Sequence, residues 1–107
     1  MNQDKKIKEL STIQQNIANL SSQKQQFVAE KNEYESAFNQ LDNTEKSYKI
    51  IGNIMISANK DDLKKELQNK IEMIDVRIKT FEKQEDALTQ KAQDMQNEIM
   101  KNIKEKE

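Results

Sequence analysis

The sequence predicts a mostly α-helical protein, in which two long helices form an antiparallel coiled coil and are joined by a β-hairpin. Residues 3–47 and 60–104 contain neither Gly nor Pro, and apolar residues recur in both stretches every three or four positions, which predicts the helices. Gly52, the only Gly of the 107 residues, lies between two short β-branched runs, which predicts the hairpin. We therefore expect one domain over 1–107, with a helix over 3–47, a hairpin over 48–58 and a helix over 60–104.

The first helix follows a heptad pattern, with apolar residues at the a and d positions that form the seam of a coiled coil. These positions hold Leu10, Ile13, Ile17, Leu20, Phe27, Tyr34, Phe38, Leu41 and Tyr48. Lys24, Lys31 and Glu45 are charged exceptions at a. The remaining positions are mostly Gln, Asn, Ser, Lys and Glu, so the helix has one apolar face and is polar elsewhere.

The second helix begins with a capping signal, because Asn59 precedes Asp61 and Asp62 at the end where the helix dipole favours acids. Its a and d positions hold Leu67, Ile71, Ile74, Ile78, Phe81, Leu88, Ala92, Met95 and Ile99, with Glu85 as the charged exception. A short connection makes the two helices antiparallel neighbours. We therefore expect Lys24 and Glu85 to lie near each other on the inner face.

The Gly52-Asn53 dipeptide predicts a two-residue type II′ turn, since Gly takes the positive φ of the first turn position without steric cost. This turn pairs Ile51 with Ile54, Ile50 with Met55, Lys49 with Ile56 and Tyr48 with Ser57. Cross-strand partners share a face. One face therefore carries Ile51, Ile54 and Ile56, and the other carries Tyr48, Ile50 and Met55. A lone hairpin is marginal in water, so we expect other subunits to cover both faces.

Composition argues against several function classes. The net charge of −1 gives no basic footprint for nucleic acid and no attraction to an anionic membrane. The chain has no Cys and no His, so the usual nucleophile and base pairs are absent, and one Gly cannot form a phosphate-binding loop. The N-terminus lacks the apolar segment of a signal peptide, and no apolar run is long enough to span a membrane. We therefore expect no enzyme activity, no cofactor and no bound metal.

The ends of the two helices keep apolar residues where the predicted core layers become polar. The set consists of Ile7, Leu10, Ile13, Met95, Ile99, Met100 and Ile103. Ile7, Met100 and Ile103 lie off the heptad seam, so we expect them to be partly exposed. Single apolar residues at helix ends are common and often have no function.

The order of helix, apolar hairpin and helix of equal length resembles the β-class subunits of prefoldin. The residues that carry the resemblance are Tyr48-Lys49, Gly52-Asn53-Ile54-Met55-Ile56, Lys60-Asp61-Asp62-Leu63, Glu66-Leu67 and Glu82-Lys83-Gln84-Glu85. The Gln-rich first helix is also similar. A single hairpin matches the β class, because α-class subunits carry two hairpins.

The resemblance implies a subunit of an ATP-independent cytoplasmic chaperone, a hexamer of two α-class and four β-class subunits. Its hairpins assemble into a β-barrel platform, its coils hold unfolded client proteins at their tips, and it delivers them to a group II chaperonin. The hairpin residues Tyr48, Ile50, Ile51, Ile54, Met55 and Ile56 would then form the oligomer. The apolar set at the helix ends would bind clients, for which flexible Met is well suited.

Two alternatives remain at this stage. The chain could be a coiled-coil scaffold or tether without chaperone activity, whose hairpin only mediates oligomerisation. It could also be a coiled coil associated with nucleic acid, although the balanced charge argues against this. Activity on a non-native client would separate the first alternative from prefoldin, and a salt-dependent binding assay would decide the second.

Overall fold

The computed structural model describes residues 2–106 and contains two helices joined by a β-hairpin. Helix α1 spans Asn2–Leu41, strand β1 spans Ser47–Ile51, strand β2 spans Ile54–Ala58 and helix α2 spans Lys60–Lys106. The predicted fold class is therefore confirmed. Helix α2 continues two residues past the predicted end at 104, and the first and last residues of the predicted domain lie outside the described residues.

Helix α1 ends at Leu41, so the prediction of a helix over 3–47 was wrong at its C-terminal end. The residues that follow, Asp42-Asn43-Thr44, have side chains that compete for backbone hydrogen bonds and favour turns. The Asn43 amide donates to the Gln40 carbonyl at 3.0 Å, and the Thr44 hydroxyl donates to the Leu41 carbonyl at 3.2 Å. These contacts close the helix before Glu45, which is exposed and does not belong to the seam.

Two lysine side chains at the start of helix α2 bind the residues that connect α1 to β1. The Lys60 ammonium donates to the carbonyl oxygens of Asp42 and Thr44, at 3.4 and 3.0 Å. Lys64 forms an ion pair with the Asp42 carboxylate and thereby lowers the pKa of that carboxyl group. Sequence periodicity missed this turn because its residues are neither Gly nor Pro.

The hairpin has the predicted register, with Ile51 opposite Ile54 and Ile50 opposite Met55. Gly52 has a φ of +60°, and Asn53 does not have a positive φ. This combination excludes a type I′ turn and agrees with type II′. The Ser47 hydroxyl donates to the Ala58 carbonyl at 2.8 Å and secures the open end of the hairpin.

Helix α2 starts at the predicted cap. The Asn59 side-chain oxygen accepts hydrogen bonds from the backbone amides of Asp61 and Asp62, at 2.8 and 3.2 Å. These are two of the amides that have no partner within the helix.

The chain groups into two compact units, and each contains part of both helices. The first unit comprises the chain up to Gln25 and the chain from Lys79 onward. Its buried residues, Ile13, Ala92 and Ile99, all occupy predicted a or d positions. Lys6 lies 2.5 Å from Glu98 and Lys24 lies 2.9 Å from Glu85, so the helices of this unit are antiparallel.

The second unit, Gln26–Ile78, holds the hairpin and the adjoining halves of the helices. Ile71 and Ile74, at a and d, are its buried residues. Three cations of α2 lie over aromatic rings of α1, at 4.9 to 5.7 Å from the ring centroids: Lys64 over Phe38, Lys70 over Tyr34 and Arg77 over Phe27. Such cation–π contacts contribute about 0.5–1 kcal/mol each at exposed sites.

Candidate functional site

Both faces of the hairpin are exposed, as the sequence predicts for a hairpin that one chain cannot cover. The exposed fractions of the six predicted assembly residues range from 44 to 67%. They are Tyr48, Ile50, Ile51, Ile54, Met55 and Ile56. Exposed large apolar side chains next to one another mark an interaction surface far better than isolated ones.

The face with Tyr48, Ile50 and Met55 also lines a groove of about 750 Å³ in the unit Gln26–Ile78. Apolar side chains of both helices, including Leu41 and Leu67, form other parts of its lining. The groove joins the exposed hairpin face to the coil, since its lining comes from both strands and both helices.

An ion pair attaches the hairpin to α2. The Lys49 ammonium lies 2.9 and 3.0 Å from the two carboxylate oxygens of Glu66, and this contact lowers the pKa of Glu66. Lys70, one turn further along α2, lies 3.9 Å from the same carboxylate. Because Lys49 is on β1, the pair restrains the hairpin relative to the helix that follows it.

The predicted client-binding residues all lie in the first unit and divide into two groups by their exposure to solvent. Ile7, Met100 and Ile103 are exposed, with exposed fractions of 49, 51 and 43%. Leu10 and Met95 are half-buried, and Ile13 and Ile99 are buried between the helices. The closed coil therefore presents three of the seven side chains to an approaching polypeptide.

Sequence reasoning missed two exposed apolar residues on α2, Met73 and Val76. They lie three residues apart, at the outer c and f positions of the heptad pattern, so they share one face of the helix. Apolar residues at outer heptad positions were the signal that would have identified them, because these positions are polar in an ordinary coiled coil.

Comparison with known proteins assigns the chain to a family. The model of the prefoldin subunit family matches residues 4–106, which is nearly the whole chain. The chain belongs to the prefoldin subunit family. Prefoldin subunits are chaperone components. The resemblance to the β class is confirmed, because similar relatives are β subunits of prefoldin.

The similar relatives are archaeal β subunits of prefoldin. The β subunit of Archaeoglobus fulgidus is 31% identical over 87% of this chain and 83% of its own length. The β subunit of Methanothrix thermoacetophila is 29% identical over 91% of this chain and 83% of its own length. The β subunit of Methanococcus aeolicus is 46% identical over 54 residues, which are 50% of this chain and about half (47%) of that relative.

The structure agrees with these relatives. The crystal structure of the prefoldin β subunit from Thermococcus strain KS-1 matches with a TM-score of 0.91 and 26% identity, over 94% of this chain and 91% of that one. Within residues 2–106, neither helix is long and apolar enough to cross a membrane.

Proposed function

We propose that this chain is one of several subunits of a hexameric chaperone, which contains two α-class and four β-class subunits. The chaperone works without ATP in the cytoplasm, captures unfolded polypeptides at the ends of the coils and delivers them to a group II chaperonin. Membership of the prefoldin family supports the chaperone class of this proposal. The exposed side chains described above support its division into an assembly surface and a client surface.

The assembly surface is the hairpin, because both of its faces are apolar and uncovered in the single chain. Closing several hairpins into a barrel would cover the faces and would also satisfy the free backbone groups at the strand edges. The groove of about 750 Å³ beside Tyr48, Ile50 and Met55 extends this surface onto the coil.

The observation that carries client capture is the exposure of Ile7, Met100 and Ile103 near the ends of the two helices. Each side chain is a small apolar contact, so one coil binds an unfolded polypeptide weakly. Several coils of one hexamer would hold the same polypeptide together, and linked weak contacts give a strong total affinity. Binding of this kind needs neither a nucleotide nor a shaped pocket.

The test uses a hexamer reconstituted with an α-class subunit, in an assay of the aggregation of a chemically denatured enzyme without ATP. We expect the full-length hexamer to suppress aggregation. Deletion of residues 1–9 and 100–107 should leave the hexamer intact in native mass spectrometry and abolish suppression. Full suppression by the truncated hexamer would place the client site elsewhere on the coil.

Substitution of the same side chains provides a finer test. The triple variant Ile7→Ser, Met100→Ser and Ile103→Ser removes apolar surface without shortening either helix. The matched control is the double variant Met73→Ser and Val76→Ser, since those residues are also exposed and apolar but lie in the other unit. We expect loss of suppression in the triple variant and normal suppression in the control. A hexamer that assembles but suppresses nothing in its native form would support the scaffold alternative.

Delivery to a chaperonin needs its own measurement. A labelled, denatured client bound to the hexamer should move to an added group II chaperonin, and the transfer should be visible as a change in the mass of the labelled complex. A client that stays on the hexamer would contradict this part of the proposal alone.

A further inference from the structure

The methionines carry all the sulfur of this chain, because the sequence has five Met and no Cys. Sulfur is the part of a protein that peroxides oxidise most readily. Within residues 2–106, Met55, Met73 and Met100 are exposed, with exposed fractions of 64, 63 and 51%. Met95 is half-buried in the seam. Three methionine side chains are therefore open to a small oxidant dissolved in water.

The three exposed methionines lie on three different surfaces. Met55 belongs to strand β2 and to the proposed assembly surface, which the other subunits of the hexamer would cover. Met73 lies on the outer face of α2 in the unit Gln26–Ile78. Met100 lies near the end of α2, three residues before Ile103, in the exposed apolar set that makes first contact with a client. In the assembled hexamer, oxidant can thus reach the client surface through Met100.

Met100 is surrounded by groups that can donate hydrogen bonds. It lines a groove of about 450 Å³ together with Asn97, Lys101, Lys104 and Glu105. Asn97 and Lys104 lie three residues before and four residues after Met100, so they share its face of the helix. A thioether is only a weak acceptor, whereas a sulfoxide oxygen is polar. The neighbouring amide and ammonium groups therefore favour the oxidised side chain over the native one.

We propose that Met100 is a site of reversible oxidation by peroxides, and that its oxidation turns off the capture of unfolded polypeptides. The sulfur of Met100 attacks one oxygen of hydrogen peroxide, so that an S–O bond forms and the O–O bond breaks. The sulfur loses two electrons and becomes a sulfoxide, and the second peroxide oxygen leaves as water. A methionine sulfoxide reductase, supplied with electrons by a dithiol, restores the thioether and releases the oxygen as water.

The inference rests on the proposed function, in which Met100 is one of three exposed apolar contacts on each coil. Oxidation replaces a flexible apolar side chain by a polar one and so removes that contact. Because Met100 is exposed, the change leaves the seam between the helices undisturbed. Every β-class coil of the hexamer loses the same contact, and losses in linked weak contacts multiply. The hexamer is therefore more sensitive to the oxidation than a single coil.

The first test treats the hexamer, reconstituted with an α-class subunit, with hydrogen peroxide. Catalase then removes the peroxide before the denatured enzyme is added, and peptide mass spectrometry measures the oxygen gained at each Met. We expect the hexamer concentration that halves aggregation to rise several-fold as Met100 is oxidised. Treatment with the reductase and a dithiol should reverse the rise. Unchanged suppression with Met100 fully oxidised, or a Met100 that stays unoxidised, would overturn the inference.

Two leucine variants assign the effect to one methionine, and each hexamer is compared before and after peroxide. Met100→Leu keeps an apolar side chain without sulfur, so its suppression should change little on treatment. Met73→Leu is the matched control, because Met73 is also exposed and lies in a groove beside two cations, Lys70 and Arg77. This control should lose suppression as the native hexamer does. Equal losses in the native and Met100→Leu hexamers would place the effect at another residue and overturn the inference.

A polar substitution tests the consequence without any oxidant. Met100→Gln imitates the polar sulfoxide and should raise the hexamer concentration that halves aggregation several-fold, whereas Met73→Gln should match the native hexamer. Equal suppression by the two variants would overturn the switch. An untreated native hexamer that suppresses nothing would contradict the proposed function itself. A hexamer that suppresses aggregation equally before and after oxidation of Met100 would contradict the switch alone.

Discussion

Lys24 and Glu85 face each other across the seam of the coil, with 2.9 Å between the ammonium nitrogen and a carboxylate oxygen. Both occupy a positions that are otherwise apolar, and their side chains are only 24 and 15% exposed. The Glu85 carboxylate raises the pKa of Lys24. The facing oxygen of Glu85 is buried, so the Lys24 ammonium lies beside a carboxylate oxygen that water does not reach.

Replacing both charges should stabilise the protein. The double variant Lys24→Leu with Glu85→Leu restores an apolar seam, and apolar residues often stabilise a protein more than a partly buried ion pair does. We expect the melting temperature, measured by circular dichroism at 222 nm, to rise by a few degrees. Lys24→Leu should be the more costly single variant, because it leaves the buried Glu85 oxygen without its cation, whereas the long Lys24 side chain left by Glu85→Leu can turn its ammonium toward water. A clear fall in the double variant would contradict the heptad assignment at this layer.

The hairpin and the seam could be predicted from the sequence because each depends on a local rule. One Gly between β-branched runs determines the turn type, and the turn type determines which residues pair. Heptad spacing likewise identified the buried residues Ile13, Ile71, Ile74, Ala92 and Ile99. The antiparallel course then followed from the short connection, and with it the Lys24–Glu85 contact.

The features that could not be predicted from the sequence depend on contacts between residues distant in sequence. The end of α1 depends partly on Lys60 and Lys64 of α2, which bind the residues that connect α1 to β1. The apolar periodicity of α1 does not reveal these contacts. The cation–π contacts, such as Arg77 over Phe27, likewise need both helices. By contrast, heptad spacing alone separated the exposed end residues Ile7, Met100 and Ile103 from the buried Ile13 and Ile99, because only the buried two lie on the seam.

Gly52 should be the position of the hairpin that tolerates substitution least. Its φ of +60° is a region that residues with a Cβ rarely adopt, although no atom would contact an added Cβ within 4 Å. Gly52→Ala should therefore destabilise the hairpin by about 1–2 kcal/mol through backbone strain alone. Asn53→Ala is the control, because Asn53 does not have a positive φ. The measurement is the denaturant midpoint of the assembled complex, and equal midpoints for both variants would rule out backbone strain at Gly52.

Acid should weaken the ion pair between the hairpin and α2. Lys49 lowers the pKa of Glu66, so the stabilisation is complete above the ordinary carboxyl pKa of about 4.3 and is lost as the pH falls through the lowered value. Glu66→Gln should therefore reduce the free energy of unfolding at pH 7, and its difference from the native chain should shrink toward pH 2. Glu72→Gln removes the same charge from the exposed surface of α2 and serves as the control. A difference for Glu66→Gln that stays constant with pH would contradict the ion pair.

Ile54→Lys should prevent assembly without unfolding the coil. Ile54 is 64% exposed next to the turn, so the single chain tolerates a charged side chain there, but a barrel wall would bury that charge without a partner. We expect monomers or small oligomers in native mass spectrometry after mixing with an α-class subunit, with most of the helical circular dichroism retained. Met73→Lys is the matched control, because Met73 is 63% exposed and apolar but lies on α2. A hexamer-sized species with Ile54→Lys would show that the hairpin does not form the assembly, and dissociation by Met73→Lys alone would assign assembly to the coil.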